Sequence, residues 1–475
     1  AGANLNGAAV AIANGFDLTG TDAQIGDLTI TELGAATVNV TGIAADVDLS
    51  NINIATLNAT VTGNTVLDAG ANLNGAAVAI ANGFDLNGTD AQIGDLTITD
   101  DGDNTVVRVR AIAENADLSN ITLDGADSAL NAGLVSAFGT TTTLTANLST
   151  VDVLGITSAG TVIVDEEATL DGGLAIYVDV NLEITAADAA AISSITGNNR
   201  NVVALTGADA ATAYNLATIT NNGDQSIAFA TGGTLNAGTD ITAWDVTVAT
   251  GQTLTLSAAQ VDAAASIAGD VDAITATVDA ANDNATTLNL SDADTIDVNT
   301  TNVVVLTDDT LTGVSTLDLD EVTTATKVTV TAAQLNAFDT VTADAFDVIT
   351  VTELGGAAGG TIAATAANDT FEFGAGDTGV TISSFNVAGD DVINVTGLAS
   401  LTGNGVAKVA DADDTAVETN SAYIITDDVG DWSDVNSVIE AAVDVSGTGS
   451  EKAVFVIDNG TDAKAYLYQN DGTNN

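Results

Sequence analysis

The stretch "GANLNGAAVAIANGFDL" begins at Gly2 and occurs again, unchanged, at Gly70. The full copies run from Ala1 to Thr31 and from Ala69 to Thr99, an offset of 68 residues, and differ only at Thr19 against Asn87. A second anchor, "DLSNI", stands at Asp48–Ile52 and Asp117–Ile121, so one residue is inserted between the anchors. A unit that recurs without a linker builds the same local structure twice and buries its apolar face on its neighbour, which favours stacked architectures. Duplication by itself demonstrates modularity and not importance.

Within each unit, short β-branched runs follow one another every eight to eleven residues: "LTIT" (Leu28–Thr31), "TVNV" (Thr37–Val40), "DVDL" (Asp46–Leu49) and "LNATV" (Leu57–Val61). Alternation with period two predicts strands, and the intervening Gly, Asn and Asp predict turns. Downstream, "LEITAADAAAISSI" (Leu182–Ile195), "LTLSAAQVDAAASI" (Leu254–Ile267) and "VTVTAAQLNAF" (Val328–Phe338) share a strand followed by Thr/Ser-Ala-Ala-Asp/Gln. The Thr or Ser sits where a helix N-cap belongs, and the Ala-rich piece predicts one or two helical turns. The starts of these motifs, at Leu182, Leu254 and Val328, are spaced close to the N-terminal offset. "TLNL" (Thr287–Leu290), "TIDV" (Thr295–Val298), "NVVVL" (Asn302–Leu306) and "STLDL" (Ser315–Leu319) add further short strands. The expected fold class is all-β: a repetitive, parallel β-helix-like solenoid with a C-terminal β-rich module. The alternative is a string of tandem β-sandwich domains, which spaces strands similarly. The expected divisions are two repeats of about 68 residues over 1–136, diverged repeats of about 72–74 residues over 137–354, and a C-terminal module from 355 to 475, beginning where "GGAAGG" (Gly355–Gly360) shifts the composition.

Composition narrows the function. The chain has no Pro, Cys, Met or His, where roughly two dozen prolines would be ordinary at this length. With 46% hydrophobic but only 4% aromatic residues, its core must be built in thin layers of Ala, Val, Leu and Ile. A mean hydropathy of +0.30 argues for a folded chain. Seven basic against 65 acidic residues give a net charge of −58. That charge excludes nucleic acid and anionic membrane surfaces, which need phosphate-neutralising cations, and leaves cationic partners, divalent metal ions above all. No apolar run approaches a membrane span, so no membrane insertion is expected. There is no initiator Met, and the chain is expected to be a portion of a longer product.

Without His or Cys, the common nucleophile–base pairs and His-ligated zinc sites cannot be assembled, and no enzyme is expected. Two carboxylates suffice for glycoside hydrolysis, but among 65 acids such pairs arise by chance. The only basic cluster, Arg108 with Arg110, shares one strand face and is expected to pair with nearby Asp. Trp244 and Trp432 stand alone and are expected in packing roles. The Asn-x-Thr triplets at Asn39–Thr41, Asn58–Thr60 and Asn120–Thr122 are glycosylation acceptors in form, though Asn and Thr richness produces them by accident. Calcium takes six to eight oxygen ligands and needs neither His nor Cys. The candidate ligands are Asp100, Asp101 and Asp103; Asp292 and Asp294; Asp308 and Asp309; Asp318 and Asp320; Asp390 and Asp391; and Asp411, Asp413 and Asp414. Asp at i and i+2 on a strand shares a face, and Asp-Asp at a turn can converge with a carbonyl; the competing reading is a solvated acidic turn surface.

The segment "NDTFEFGAGDTGVTISSFNVAGDDVINVTGL" (Asn368–Leu398) and the ending "AVFVIDNGTDAKAYLYQNDGTNN" (Ala453–Asn475) resemble the C-terminal region of type I secreted, RTX-related bacterial proteins. The resemblance covers about the last 110 of 475 residues and includes no intact G-G-x-G-x-D nonapeptide. Upstream, the Thr-, Ala- and Asp-rich texture is similar to bacterial surface-layer proteins and large adhesins. These resemblances imply an extracellular protein at the cell surface, exported by a type I route, whose main partner is itself in a homopolymer, with cell-surface polysaccharide as a further partner. The expected function is therefore a calcium-stabilised surface layer or filament; the alternative is an adhesin with a repeat stalk and a glycan- or surface-binding terminal module.

Overall fold

The computed structural model describes residues 7–394, apart from 136–139, 158–159, 199, 279–286, 301, 320–324, 357–360, 375–376, 378–379 and 386–390. Beyond 394 it describes the strands Val406–Val409, Ser421–Ile425, Lys452–Asp458 and Asp462–Gln469. The chain winds into a β-solenoid of about 17 turns, nearly all β, with five short α-helices among the described residues. The tandem-sandwich alternative fails on pairing. Every pair formed between described strands from Ala9 to Asn394 is parallel, and successive partners lie one coil apart, as Asn39 does from Asn58 and Ile195 from Ile219. Sandwich sheets are antiparallel and set their strand partners by hairpins and Greek keys.

Contacts group into two compact units, Ala1–Thr231 with Asn236–Ala249, and Gly232–Leu235 with Thr250–Asn475. The first contains a six-strand sheet running from Asp17–Thr21 through Thr37–Thr41, Thr56–Val61, Ala77–Ala81 and Ile98–Asp101 to Ile121–Thr122. Its eight-strand sheet comprises Thr65–Val66, Asp85–Thr89, Val106–Arg110, Ala129–Val135, Val153–Thr157, Ala175–Val178, Ser194–Gly197 and Ile219–Thr220. The division expected at residue 136 falls between two neighbouring strands of this sheet. The second unit stacks Leu254–Ser257, Ile274–Val278, Thr295–Val298, Thr316–Asp318 and Thr340–Thr342 in one sheet, and Val303–Val305, Lys327–Thr331, Val348–Thr352, Asn368–Glu372 and Val392–Asn394 in another. Among the described strands, antiparallel pairing enters only toward the C-terminus, where Asp462–Gln469 pairs with both Lys452–Asp458 and Thr381–Ser383.

The alternation in the strands sets the core. Val109, Ala132, Leu154, Ile176, Ile195 and Ile219 lie in register on consecutive coils, all buried, so each aliphatic side chain covers the one below it. Burying each larger member contributes about 1.5–3 kcal/mol, repeated coil after coil. Trp244 is a core residue, as expected, while Trp432 lies outside the described residues.

The three Ala-rich motifs form helices where their caps predict: Ala186–Ala191, Ala258–Ala263 and Ala332–Leu335. Thr185, Ser257 and Thr331 accept the N–H of Asp188, Gln260 and Gln334 at 3.0, 3.3 and 3.1 Å. Two more helical turns, Asp22–Ile25 and Asp90–Ile93, arise from the "TDAQI" of the exact repeat. In each, the Gln side chain accepts from the N–H of the preceding Thr at 3.0 Å. Gln92 Nε2 also donates to Asp68 O in the preceding coil, so the helix fastens the corner it turns. At the neighbouring corner, Gly83 has φ +77°, a left-handed conformation that a side chain would strain.

Candidate functional site: carboxylate clasps between coils

The acidic residues do local work that their numbers alone do not suggest. A recurrent arrangement places Asp one residue ahead of a strand, with its carboxylate accepting a backbone N–H near the start of the matching strand one coil earlier. Asp152 accepts from Leu130 at 2.7 Å, Asp294 from Ile274 at 2.9 Å, Asp347 from Thr326 at 3.0 Å and Asp391 from Asp369 at 3.0 Å. Related bonds run to the following coil, from Ala44 N–H to Asp22 at 3.2 Å and from Ala113 N–H to Asp90 at 2.9 Å. Charge-assisted bonds of this type contribute about 1.5–3 kcal/mol where they are shielded from water. A second group closes local Asx turns: the repeated "DLSNI" anchor is one, with Asp48 accepting from Ser50 N–H at 3.0 Å and Asp117 from Ser119 N–H at 3.1 Å. Hydrogen bonds from the serine side chain and N–H hold both carboxyls below their ordinary value.

The candidate calcium ligands are distributed among these roles. Asp100 accepts from Asp124 and Gly125 N–H at 2.8 and 2.9 Å, and Asp103 from Ala126 N–H at 2.8 Å, while Asp101 is exposed. Burial opposes the charge of Asp100, but the bonds from Asp124, Ser128 and Gly125 outweigh it and lower its pKa. Asp292 and Asp294 lie ahead of their strand and accept from Ile267 and Ile274, two separate places. Asp308 is exposed; its neighbour Asp309 is buried and accepts from Leu288 N–H at 2.8 Å. Asp318 is half-buried on its strand. Asp320, Asp390, Asp411, Asp413 and Asp414 lie outside the described residues. Among the described residues, no group of three or more Asp, Glu, His or Cys side chains gathers at metal-binding distance.

Among the described residues, the most buried carboxyl is Asp369, which belongs to none of the candidate ligand clusters. Asp369 has no exposed surface, and Thr365 serves it with both its N–H and its hydroxyl. Burial, reinforced by the charge of Asp391, raises it from 3.8 to about 7 against those hydrogen bonds. Its place one residue inside the strand Asn368–Glu372, opposite Ile349, is a core position by alternation, and that was the available signal.

Uncharged polar groups also stack. Asn58 Nδ2 donates to Asn39 Oδ1 at 2.9 Å, so two of the Asn-x-Thr asparagines form a ladder rung between coils. Arg108 pairs with Asp85 at 3.0 Å, as expected, whereas Arg110 donates to Leu67 O at 3.5 Å. No known protein family, curated protein or solved structure matches this chain.

Proposed function

We propose that this chain is an extracellular structural protein that self-assembles into a bacterial surface layer or filament, stabilised by calcium. One observation carries this reading: the coils are interchangeable. The first copy's Ala9–Ile12 belongs to a three-strand sheet, but its duplicate Ala77–Ala81 continues the six-strand sheet that holds the first copy's Asp17–Thr21. A sequence that serves equally on two sides of the stack extends a surface rather than shaping one unique cleft. Parallel coils of this kind supply stiffness, and their edges and lateral faces supply subunit contacts. At a net charge of −58 such faces repel, and divalent ions bridging them reduce the repulsion. No catalytic residue is needed for this role.

Electron microscopy of purified protein in millimolar calcium and after chelation tests the proposal. Sheets or filaments that dissolve on chelation are expected. Dispersed monomers in both conditions overturn assembly as the main role and point instead to the adhesin alternative.

A further inference from the structure

Charge restricts where copies of this chain can meet. At a net charge of −58, two acidic faces repel each other, so a contact between copies favours a face with few carboxylates. The six-strand sheet of the first unit carries Asp17, Asp100 and Asp101 in its strands and no cation. The eight-strand sheet carries one carboxylate, Asp85, against Arg108 and Arg110, and Asp85 is paired with Arg108. Its strands are therefore net positive within a strongly acidic chain.

The outward face of this sheet is also apolar and large. Val66, Val135 and Tyr177 lie on it, 55%, 62% and 52% exposed, and alternate with the buried Thr65, Leu134 and Ile176. Eight strands about 4.8 Å apart, with about four residues each, present about 500 Å². Two such faces bury on the order of 1,000 Å² in total, the size at which specific interfaces begin. The five-strand sheet of the second unit exposes Val303, Val305 and Val392, but with fewer strands it falls short of that size.

We propose that this face is the contact between two copies of the chain, packed sheet on sheet about a two-fold axis that runs along Val153–Thr157. The inference rests on the assembly reading and names the surface that assembly uses. Such an axis carries each strand onto the one equally far away on the other side of Val153–Thr157. In the row formed by Arg110, Gly133, Gly155, Tyr177 and Thr196, it sets Tyr177 over the partner's Gly133 and Gly155 over the partner's Gly155. It also sets Asp85 opposite the strand Ile219–Thr220, which has no charge, so the one carboxylate in these strands meets no like charge. The two glycines make the fit possible: an added Cβ would meet nothing in its own chain nearer than 3.8 Å at Gly133 and 3.9 Å at Gly155, which leaves that space for the partner. Glycine inside a strand marks a place where another backbone approaches closely.

The absence of cysteine makes the test direct, because Gly155→Cys gives the full chain a single thiol that faces its own counterpart across the axis. In millimolar calcium, a bismaleimide with a spacer of about 10 Å, the distance between packed sheets, is expected to join this variant into covalent dimers. Thr19→Cys, exposed on the six-strand sheet, is expected to stay uncoupled. Sedimentation gives a second measurement: Gly133→Val fills the space under the partner's Tyr177 and should weaken dimerisation by about tenfold or more. Valine favours a strand, so the melting temperature of the dilute variant stays equal or rises, which separates lost contact from lost folding. If the unaltered chain assembles while Gly155→Cys fails to couple and Gly133→Val associates as before, this face is overturned and assembly proceeds through another. Monomers of the unaltered chain in every condition overturn both this face and the assembly reading.

Discussion

The two copies of the N-terminal repeat, Ala1–Thr31 and Ala69–Thr99, differ by one substitution and are placed in different surroundings. Internally they match: Val10 pairs with Ile30 as Val78 pairs with Ile98, and Leu18 with Val38 as Leu86 with Val107. Externally they differ. Ala77–Ala81 lies between Thr56–Val61 and Ile98–Asp101, and Asp85–Thr89 between Thr65–Val66 and Val106–Arg110. Among the described residues, Ala9–Ile12 and Asp17–Thr21 each pair on one side only. Leu86 is accordingly sealed while Leu18 is half-buried, and Phe16 is 67% exposed where Phe84 is half-buried. Local hydrogen bonding and strand register are thus properties of the repeat, and burial is a property of its neighbours. In a solenoid most of the stabilisation therefore resides in the interfaces between coils.

Full covering has its largest consequence at a carboxyl. Asp369, enclosed on every side, keeps its proton in the folded chain up to about pH 7, while the unfolded carboxyl loses it near 3.8. Folding takes up that proton between the two values, so the contribution is whole below pH 3.8 and is lost as pH rises through 7. It is on the order of 4 kcal/mol. Asp369→Asn should flatten the decline in melting temperature between pH 5 and 8.5; an unchanged slope would mean that the site is hydrated. Asp22, raised in the same direction mainly by burial, predicts a weaker trend of the same sign at the N-terminal copy.

The next effect contrasts the copies directly. Leu86→Ala should destabilise its coil by about 2–5 kcal/mol, and Leu18→Ala by clearly less, read as lost hydrogen-exchange protection in the strands that carry them. Equal losses would show that the first copy is covered in solution. Inserting a duplicate of residues 37–68 ahead of Ala1 gives the first copy the neighbours of the second, and amides of Leu18–Thr21 should gain protection by at least about tenfold. The smallest effect is expected at the ladder: Asn58→Ala removes its bond to Asn39 and should cost about 1 kcal/mol, measured by the same exchange.

Much of this architecture is legible in the residues. Thr185, Ser257 and Thr331 announce their helices because a hydroxyl placed before an Ala run has one obvious N–H to satisfy. Alternation in "TVNVT" and "LNATV" states which side chains point inward. "DVDL" misleads: its period-two pattern predicts a strand, yet it forms only an isolated bridge, Asp48 to Asn72, because the Asx turn at Asp48 bends the chain there. The role of the acids is illegible for a related reason. Asp294 and Asp347 act on the N–H groups of Ile274 and Thr326, a whole turn earlier, and that separation becomes a contact only when the coil closes.

By itself the sequence determined a modular, all-β, aliphatic-cored and strongly acidic chain, because periodicity, capping and composition act over a few residues at a time. Tertiary structure alone decided which coil covers which, that the repeat lands its copy on a different sheet, and that Arg110, Gly133, Gly155 and Tyr177 meet in one row. Those outcomes depend on the length of each turn, which varies from coil to coil, summed over many turns. One residue more or less shifts a side chain to the other face of its strand, so placement is cumulative and no local pattern contains it.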